Sequence, residues 1–308
     1  MLNIYFKTIR SKEFKIIDEP RKGAWIHVEK AEKKDLEKVV AYTGLTYDDI
    51  HDSLDIYELP RFERIGDNLL IFIRNPVDQT TSGSSYTETL LIILTPGNIV
   101  TISPQDNPLI SRILESDDPI ATTQQYKFLL NILYRVAKSF NRYVRNTRVD
   151  VIQQKKDIEK IGRKDIIILI ESEEILNRYI SALVPMENVF SLIANGKYLT
   201  LYKEDEELFK DVLIEIQQAV DLGRVTLKSI ISLRDSYQII FTNRLNRTIN
   251  VLTVFTIILT IPTIIGSFWG MNVPLPLSES PLGFPMIVWG SGVVSLCVLS
   301  VFYWKKWL

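Results

Sequence analysis

Four threonines, Thr253, Thr256, Thr260 and Thr263, stand at i, i+3, i+7 and i+10 in an otherwise apolar stretch. That spacing puts four hydroxyls on one face of a helix. Extended backwards, the same face reaches Ile249 and Asn246, and no ionisable side chain lies between Arg247 and Glu279. The apolar run up to Trp269 is about 22 residues, or roughly 33 Å of helix, enough to cross a bilayer core. By spacing alone the hydroxyl face serves two ends equally. Thr bonds back to the preceding turn and packs between helices, and it also suits the wall of a wet pore. A helix that only anchors a protein needs no such face.

The elements that must position this face follow from the distribution of charge. Charged residues make up 24% of the 308, yet nearly all precede residue 248. The first part therefore reads as a soluble domain and the second as a membrane hairpin. Its second span, Phe284 to Trp304, is about 21 uncharged residues. Arg244 and Arg247 precede the first span, Lys305 and Lys306 follow the second, and the loop from Val273 to Pro285 has no Lys or Arg. The positive-inside rule puts both ends of the hairpin in the cytoplasm. Gly290, Ser291, Gly292 and Ser295 give the second span a small-residue packing face.

Composition excludes several classes. The formal net charge of -1 and the lack of a basic stripe argue against a nucleic-acid partner. Cys297 is the sole cysteine and His27 and His51 are the two histidines, so neither a disulfide framework nor a Cys/His metal cluster is expected. No Gly-rich phosphate loop and no nucleophile–base set is visible, which argues against an enzyme. The N-terminus lacks the apolar core of a secretion signal, so the first part is expected to stay in the cytoplasm.

Taken in order, Asn3 to Glu29 alternates as strands do, and Glu32 to Tyr42 reads as a short helix stopped by Gly44. Thr46 caps a further start. Arg61 to Asn75 and Tyr86 to Ser103 supply four more strands, with turns at Gly66-Asp-Asn68 and Pro96-Gly-Asn98, and Ser82-Gly-Ser-Ser85 reads as a solvated hairpin loop. After Pro108 the period changes to about 3.6. Helices are predicted over Thr122–Ile161 and Asp165–Ala194, the second stopping at Asn195-Gly196. A third starts near Lys203 and meets no proline before Pro262, giving about 67 residues and ~100 Å. Apolar residues recur along it at Leu208, Val212, Ile216, Ala219, Gly223, Thr226, Ile230, Leu233, Tyr237 and Ile240. This near-heptad spacing suggests a self-associating stalk; packing on its own domain is the plainer alternative, and the two are compatible on different faces. The fold class is thus an α+β domain, its mixed sheet flanked by helices, with a stalk helix continuing into a two-helix hairpin. Boundaries are expected at 1–200, 201–247 and 248–308, with spans 248–269 and 284–304 joined by the loop 270–283.

Trp269-Gly270-Met271-Asn272 closes the first span, followed by a short proline-rich loop, a last span and a basic tail. This resembles the Gly-Met-Asn signature of the CorA-type magnesium channel family, and the likeness covers most of the chain. The resemblance implies a homopentamer in which Gly270, Met271 and Asn272 form a selectivity filter for hydrated Mg²⁺. It also implies a pore lined by Asn246, Ile249, Leu252, Thr253, Thr256, Thr260 and Thr263. Where relatives carry Met rings, Ile249 and Thr260 stand here, and Ile249 with Leu252 is expected to form an apolar gate. Trp269 replaces the commoner Tyr, and Glu279 is the lone loop acid. His51-Asp-Ser-Leu-Asp-Ile-Tyr-Glu-Leu-Pro-Arg61 resembles the family segment whose acid binds a regulatory Mg²⁺ with an acid on the neighbouring stalk. Asp52 and Asp211 match those acids, with His51 where an acid is common.

These features imply a channel of the cell inner membrane with cytoplasmic termini, bathed in lipid, taking up Mg²⁺ and also Co²⁺ or Ni²⁺. Mg²⁺ would be both cargo and regulatory ligand. The alternatives are a zinc transporter of the same superfamily, against which Met271 argues, and a membrane-tethered sensor or scaffold. A tether would tolerate Leu at all four Thr positions.

Overall fold

The computed structural model describes residues 1–55, 57–78, 85–116, 118–154, 162–194, 203–273 and 280–305. Ser82-Gly-Ser84, the predicted helix beyond Gln154, Asn195-Gly196, Glu279 and Lys306 lie outside them. The described chain divides into two compact units, Met1–Ser232 and Leu233–Leu308.

The first unit is built on a seven-stranded sheet. Its strands are β1 Leu2–Phe6, β2 Lys15–Ile16, β3 Trp25–Val28, β4 Arg61–Ile65, β5 Asn68–Asp78, β6 Ser85–Leu94 and β7 Ile99–Ile102. Their order is β2-β1-β3-β7-β6-β5-β4. Every pairing is antiparallel except β3 with β7, which makes the sheet mixed. The turn Gly66-Asp-Asn68 closes β4 on β5 with Gly66 at φ 61°, a region a glycine enters without steric cost.

Helices cover both faces. On one, α1 (Lys33–Thr43) and α2 (Tyr47–His51) bring Leu36, Val39 and Ile50 against Ile26, Leu70, Phe72 and Val100. Glu32 and Asp35 form a capping box at the start of α1, Gly44 ends it in the left-handed conformation, and Thr46 with Asp49 forms the box of α2. Each box satisfies backbone N–H groups that the helix start leaves open. On the other face lie α4 (Gln125–Gln154) and α5 (Arg163–Ala194), which pack on β5 and β6. Trp25 meets Phe128 of α4 with ring centroids 5.0 Å apart. Strand residues that alternate are therefore buried on both sides, and the paired stretches 69–73 of β5 and 90–94 of β6 are continuous apolar runs. A separate short helix, α3 (Pro108–Leu114), precedes α4, and the prediction of helix from Thr122 onward does not include it.

His27 lies inside the sheet layer, 2% exposed. Its Nδ1 is 2.8 Å from the Thr101 hydroxyl, which also accepts from Trp25 Nε1 at 2.8 Å. Burial pushes the His27 pKa down to about 4. The folded state thus holds the neutral ring, while the unfolded chain takes up a proton below about pH 6.5. Stability contributed by His27 is present at neutral pH and is lost as pH falls from 6.5 towards 4, by up to about 3 kcal/mol. His27→Gln should flatten the melting temperature of the purified protein across that interval; parallel wild-type and variant profiles would assign the acid sensitivity elsewhere.

The long helix α6 runs from Lys203 to Trp269, and α7 spans Gly283–Trp304. In the first unit α6 has two opposed stripes. Val212, Ile216, Ala219, Gly223, Thr226 and Ile230 are buried within the protomer. Asn141 of α4 donates to the Glu215 carbonyl at 2.7 Å, and a Cβ at Gly223 would sit 3.2 Å from Ile180 of α5. This buried stripe packs on its own domain. The opposite stripe, Asp211, Ile214, Gln218, Asp221, Val225 and Lys228, is exposed. Ile216→Ala should therefore cost about 2–4 kcal/mol of folding stability and Ile214→Ala close to none. Denaturant titration of the two variants in one detergent separates the cases, and equal losses would refute the assignment of faces.

Candidate functional site

In the second unit the four threonines keep a common geometry. Each hydroxyl donates to the carbonyl four residues earlier: Thr253 to Ile249 at 2.8 Å, Thr256 to Leu252 at 2.9 Å, Thr260 to Thr256 at 2.7 Å and Thr263 to Leu259 at 2.9 Å. A hydroxyl has one proton to give. With that proton committed to the helix, what each Thr turns outward is acceptor lone pairs. Thr256, Thr260 and Thr263 are exposed, as are Asn246, Ile249 and Leu252, whereas Thr253 is half-buried. Val254, on the other side of the helix, is 1% exposed. The polar face is thus left open by the protomer's own packing.

Gly270, Met271 and Asn272 follow directly on the last helical residue. The Gly270 N–H still bonds the Gly266 carbonyl at 3.0 Å, and the Met271 N–H tightens onto Phe268 at 3.3 Å. All three residues are exposed. On α7 the small-residue face is narrower than its sequence suggests. Ser291 and Ser295 are buried, while a Cβ at Gly290 or Gly292 would meet nothing within 4 Å.

Both apolar helices are long enough to cross a membrane, and only 6% of the most apolar stretch of each is buried. A core helix of a soluble protein passes the same length test, but it is mostly covered by its own chain. Here the apolar surface faces outward, on Phe255, Leu259, Phe268, Val294 and Leu296 among others. Exposed apolar surface on this scale calls for lipid or another subunit.

The acid pair of the first unit stands differently. Asp52 opens a 3₁₀ turn, Asp52–Leu54, directly after α2, and Asp211 lies exposed on α6. No hydrogen bond or ion pair joins them within the protomer. Asp52 is instead held by Arg61, whose Nη2 donates to Oδ2 at 2.8 Å. The same guanidinium donates through Nε to Glu63 at 2.6 Å and through Nη1 to Glu58. It lies 3.8 Å from the centroid of the Phe72 ring, its cross-strand partner in the β4–β5 ladder. His51 Nδ1 stands 3.7 Å from the other Asp52 oxygen. Sequence reasoning singled out Asp52 and His51 but missed Arg61. Its role depends on the register that sets it across from Phe72. Among the described residues, no group of three His, Cys, Asp or Glu converges as a metal centre.

Comparison with known proteins agrees with this architecture. The cobalt/magnesium transport protein CorA of Methanocaldococcus jannaschii is 25% identical over 293 residues, covering 92% of this chain and 91% of the relative. The complete structure of the CorA magnesium transporter from that organism superposes with a TM-score of 0.84 at 21% identity, covering 100% of this chain and 99% of the other. The cytoplasmic domain of ZntB from Vibrio parahaemolyticus shares the fold of the first part, with a TM-score of 0.63 at 11% identity over 79% of this chain and 97% of its own. The family described as CorA-like Mg²⁺ transporter protein matches residues 21–306. With nearly the whole length matched, the chain belongs to that family of divalent-cation transporters.

Proposed function

We propose that the chain is one subunit of a homopentameric channel that carries Mg²⁺ into the cell, with Co²⁺ and Ni²⁺ as further cargo. Residues 248–308 form its membrane domain in the cell inner membrane, with both termini cytoplasmic. The observation that carries the reading is the exposed hydroxyl face of α6 with its protons already spent. Mg²⁺ dehydrates reluctantly and keeps most of its waters. A hydrated cation presents water hydrogens outward, so the wall that suits it accepts hydrogen bonds. Stacked rings of Thr256, Thr260 and Thr263 around a five-fold axis would do so along the span. At the mouth, the Gly270 carbonyl and the Asn272 amide are neutral oxygen ligands that bind waters and release them. Ile249 and Leu252 supply an apolar constriction that gates by dewetting. Entry needs no ATP, because a dication crossing 100 mV gains about 4.6 kcal/mol.

The experiment is Mg²⁺ flux into liposomes holding the purified protein, with Co²⁺ and Zn²⁺ in competition. Asn272→Ala should reduce flux to that of empty liposomes while the oligomer stays intact. Wild-type flux from this variant would remove Asn272 from the filter. Strong competition by Zn²⁺ with none by Co²⁺ would favour the zinc-transport reading.

Regulation rests on Asp52 and Asp211. In a ring, the stalk of one subunit brings Asp211 to the neighbour's Asp52, where two carboxylates repel until a divalent ion bridges them. Bound Mg²⁺ then favours the tightly packed closed ring, to the extent of its differential affinity for the two states. Falling cytoplasmic Mg²⁺ empties the sites and opens the pore. Asp211→Ala should relieve inhibition of the current by millimolar cytoplasmic Mg²⁺. Unchanged inhibition would leave Asp211 a solvated stalk residue.

A further inference from the structure

We propose that Arg61 is the resident cation of the Asp52 carboxylate, and that a divalent ion engages Asp52 only against the charge of this guanidinium, which stays in place. This rests on the reading of Asp52 and Asp211 as a regulatory pair, and sets how that pair responds. Three carboxylates, Asp52 of the 3₁₀ turn, Glu58 ahead of β4 and Glu63 within it, are gathered on one guanidinium. The fork is fixed from below by Phe72, a ring that is 0% exposed. Arg61 itself is only 28% exposed at its side chain, against 47% for Asp52. The cation is therefore the anchored member and the acid the accessible one.

The residues do not fit a site waiting for metal. One Asp52 oxygen already accepts a charge-assisted bond, and His51 stands by the other. A dication arriving at Asp52 meets a fixed positive charge as well as the carboxylate. Coulomb's law puts a unit charge about 5 Å from a dication at roughly a tenfold loss of affinity even in the dielectric of water. Arg61 thereby raises the Mg²⁺ concentration at which subunits lock. It also keeps the 3₁₀ turn bearing Asp52 tied to β4 when no ion is bound, so the empty state stays ordered. Lys would supply the charge but not the three-way planar fork.

The test uses the full chain in nanodiscs and reads Mg²⁺ protection of α6 from limited proteolysis, with no flux measurement. Arg61→Gln should lower the half-protecting Mg²⁺ concentration about tenfold. Arg61→Lys, which keeps a looser charge, should lower it by a smaller factor, and it carries the test alone if Arg61→Gln does not fold. Midpoints unchanged or raised in the folded variants overturn the proposal, while loss of protection in Asp211→Ala still upholds the regulatory pair. Full protection in Asp211→Ala overturns the pair and the proposal together.

Discussion

The hydrocarbon core of a bilayer offers no partner for a polar group, and the second unit is arranged around that constraint. A helix answers it for the backbone, because every interior N–H and C=O is bonded within the segment. Pro262 lies within α6 and lacks an N–H, so one carbonyl near it loses its usual donor. The threonines answer the constraint for their own protons by returning them to the helix. What is left over is directional: oxygen lone pairs on one face and hydrocarbon on the rest. A span with that asymmetry has a reason to associate, since its polar face gains from water or ions and its remaining surface gains from lipid.

The same helix meets a different solvent in the first unit, and its faces are divided by a different rule. There the buried stripe of α6 is taken up by α4 and α5, and the polar and mixed stripe opposite stays in contact with water. The two stripes repeat at alternating steps of three and four residues on opposite sides of the helix. Within the first unit one helix therefore serves a packed domain on one side and an open surface on the other.

Much of this was legible in the sequence because it is written in periods and caps. Alternation gave the strands, Gly44 and Thr46 gave the ends of α1 and α2, and charge depletion gave the two spans. The Thr face and Gly270-Met271-Asn272 were visible as positions. What periodicity cannot state is the partner. Val212 to Ile230 fits a neighbouring stalk as well as its own domain, and only the placement of α4 and α5 decides. Helix α3 was hidden because its seven residues make barely two turns, too few to establish a period. Arg61 was hidden because its role depends on register: Phe72 lies directly across the ladder, and Asp52 reaches the same point from a turn. A single substitution pattern in β4 would not have revealed that meeting.

The lone parallel pairing, β3 with β7, has a consequence for biosynthesis. Trp25 is matched with Ile99 and Val28 with Ile102, so the central ladder joins segments made roughly 70 residues apart. At ribosomal rates of about 5–20 residues per second, the edge of β3 waits about 4–14 s for its partner. During that interval β2, β1 and β3 can pair in that order and β4 to β6 can form a meander, each with an open apolar edge. An open edge is a template for pairing with another chain. Strand β7, four residues long and wholly buried, closes both edges at once. The step most exposed to error in making this membrane protein thus falls in its water-soluble part, before either span has left the ribosome.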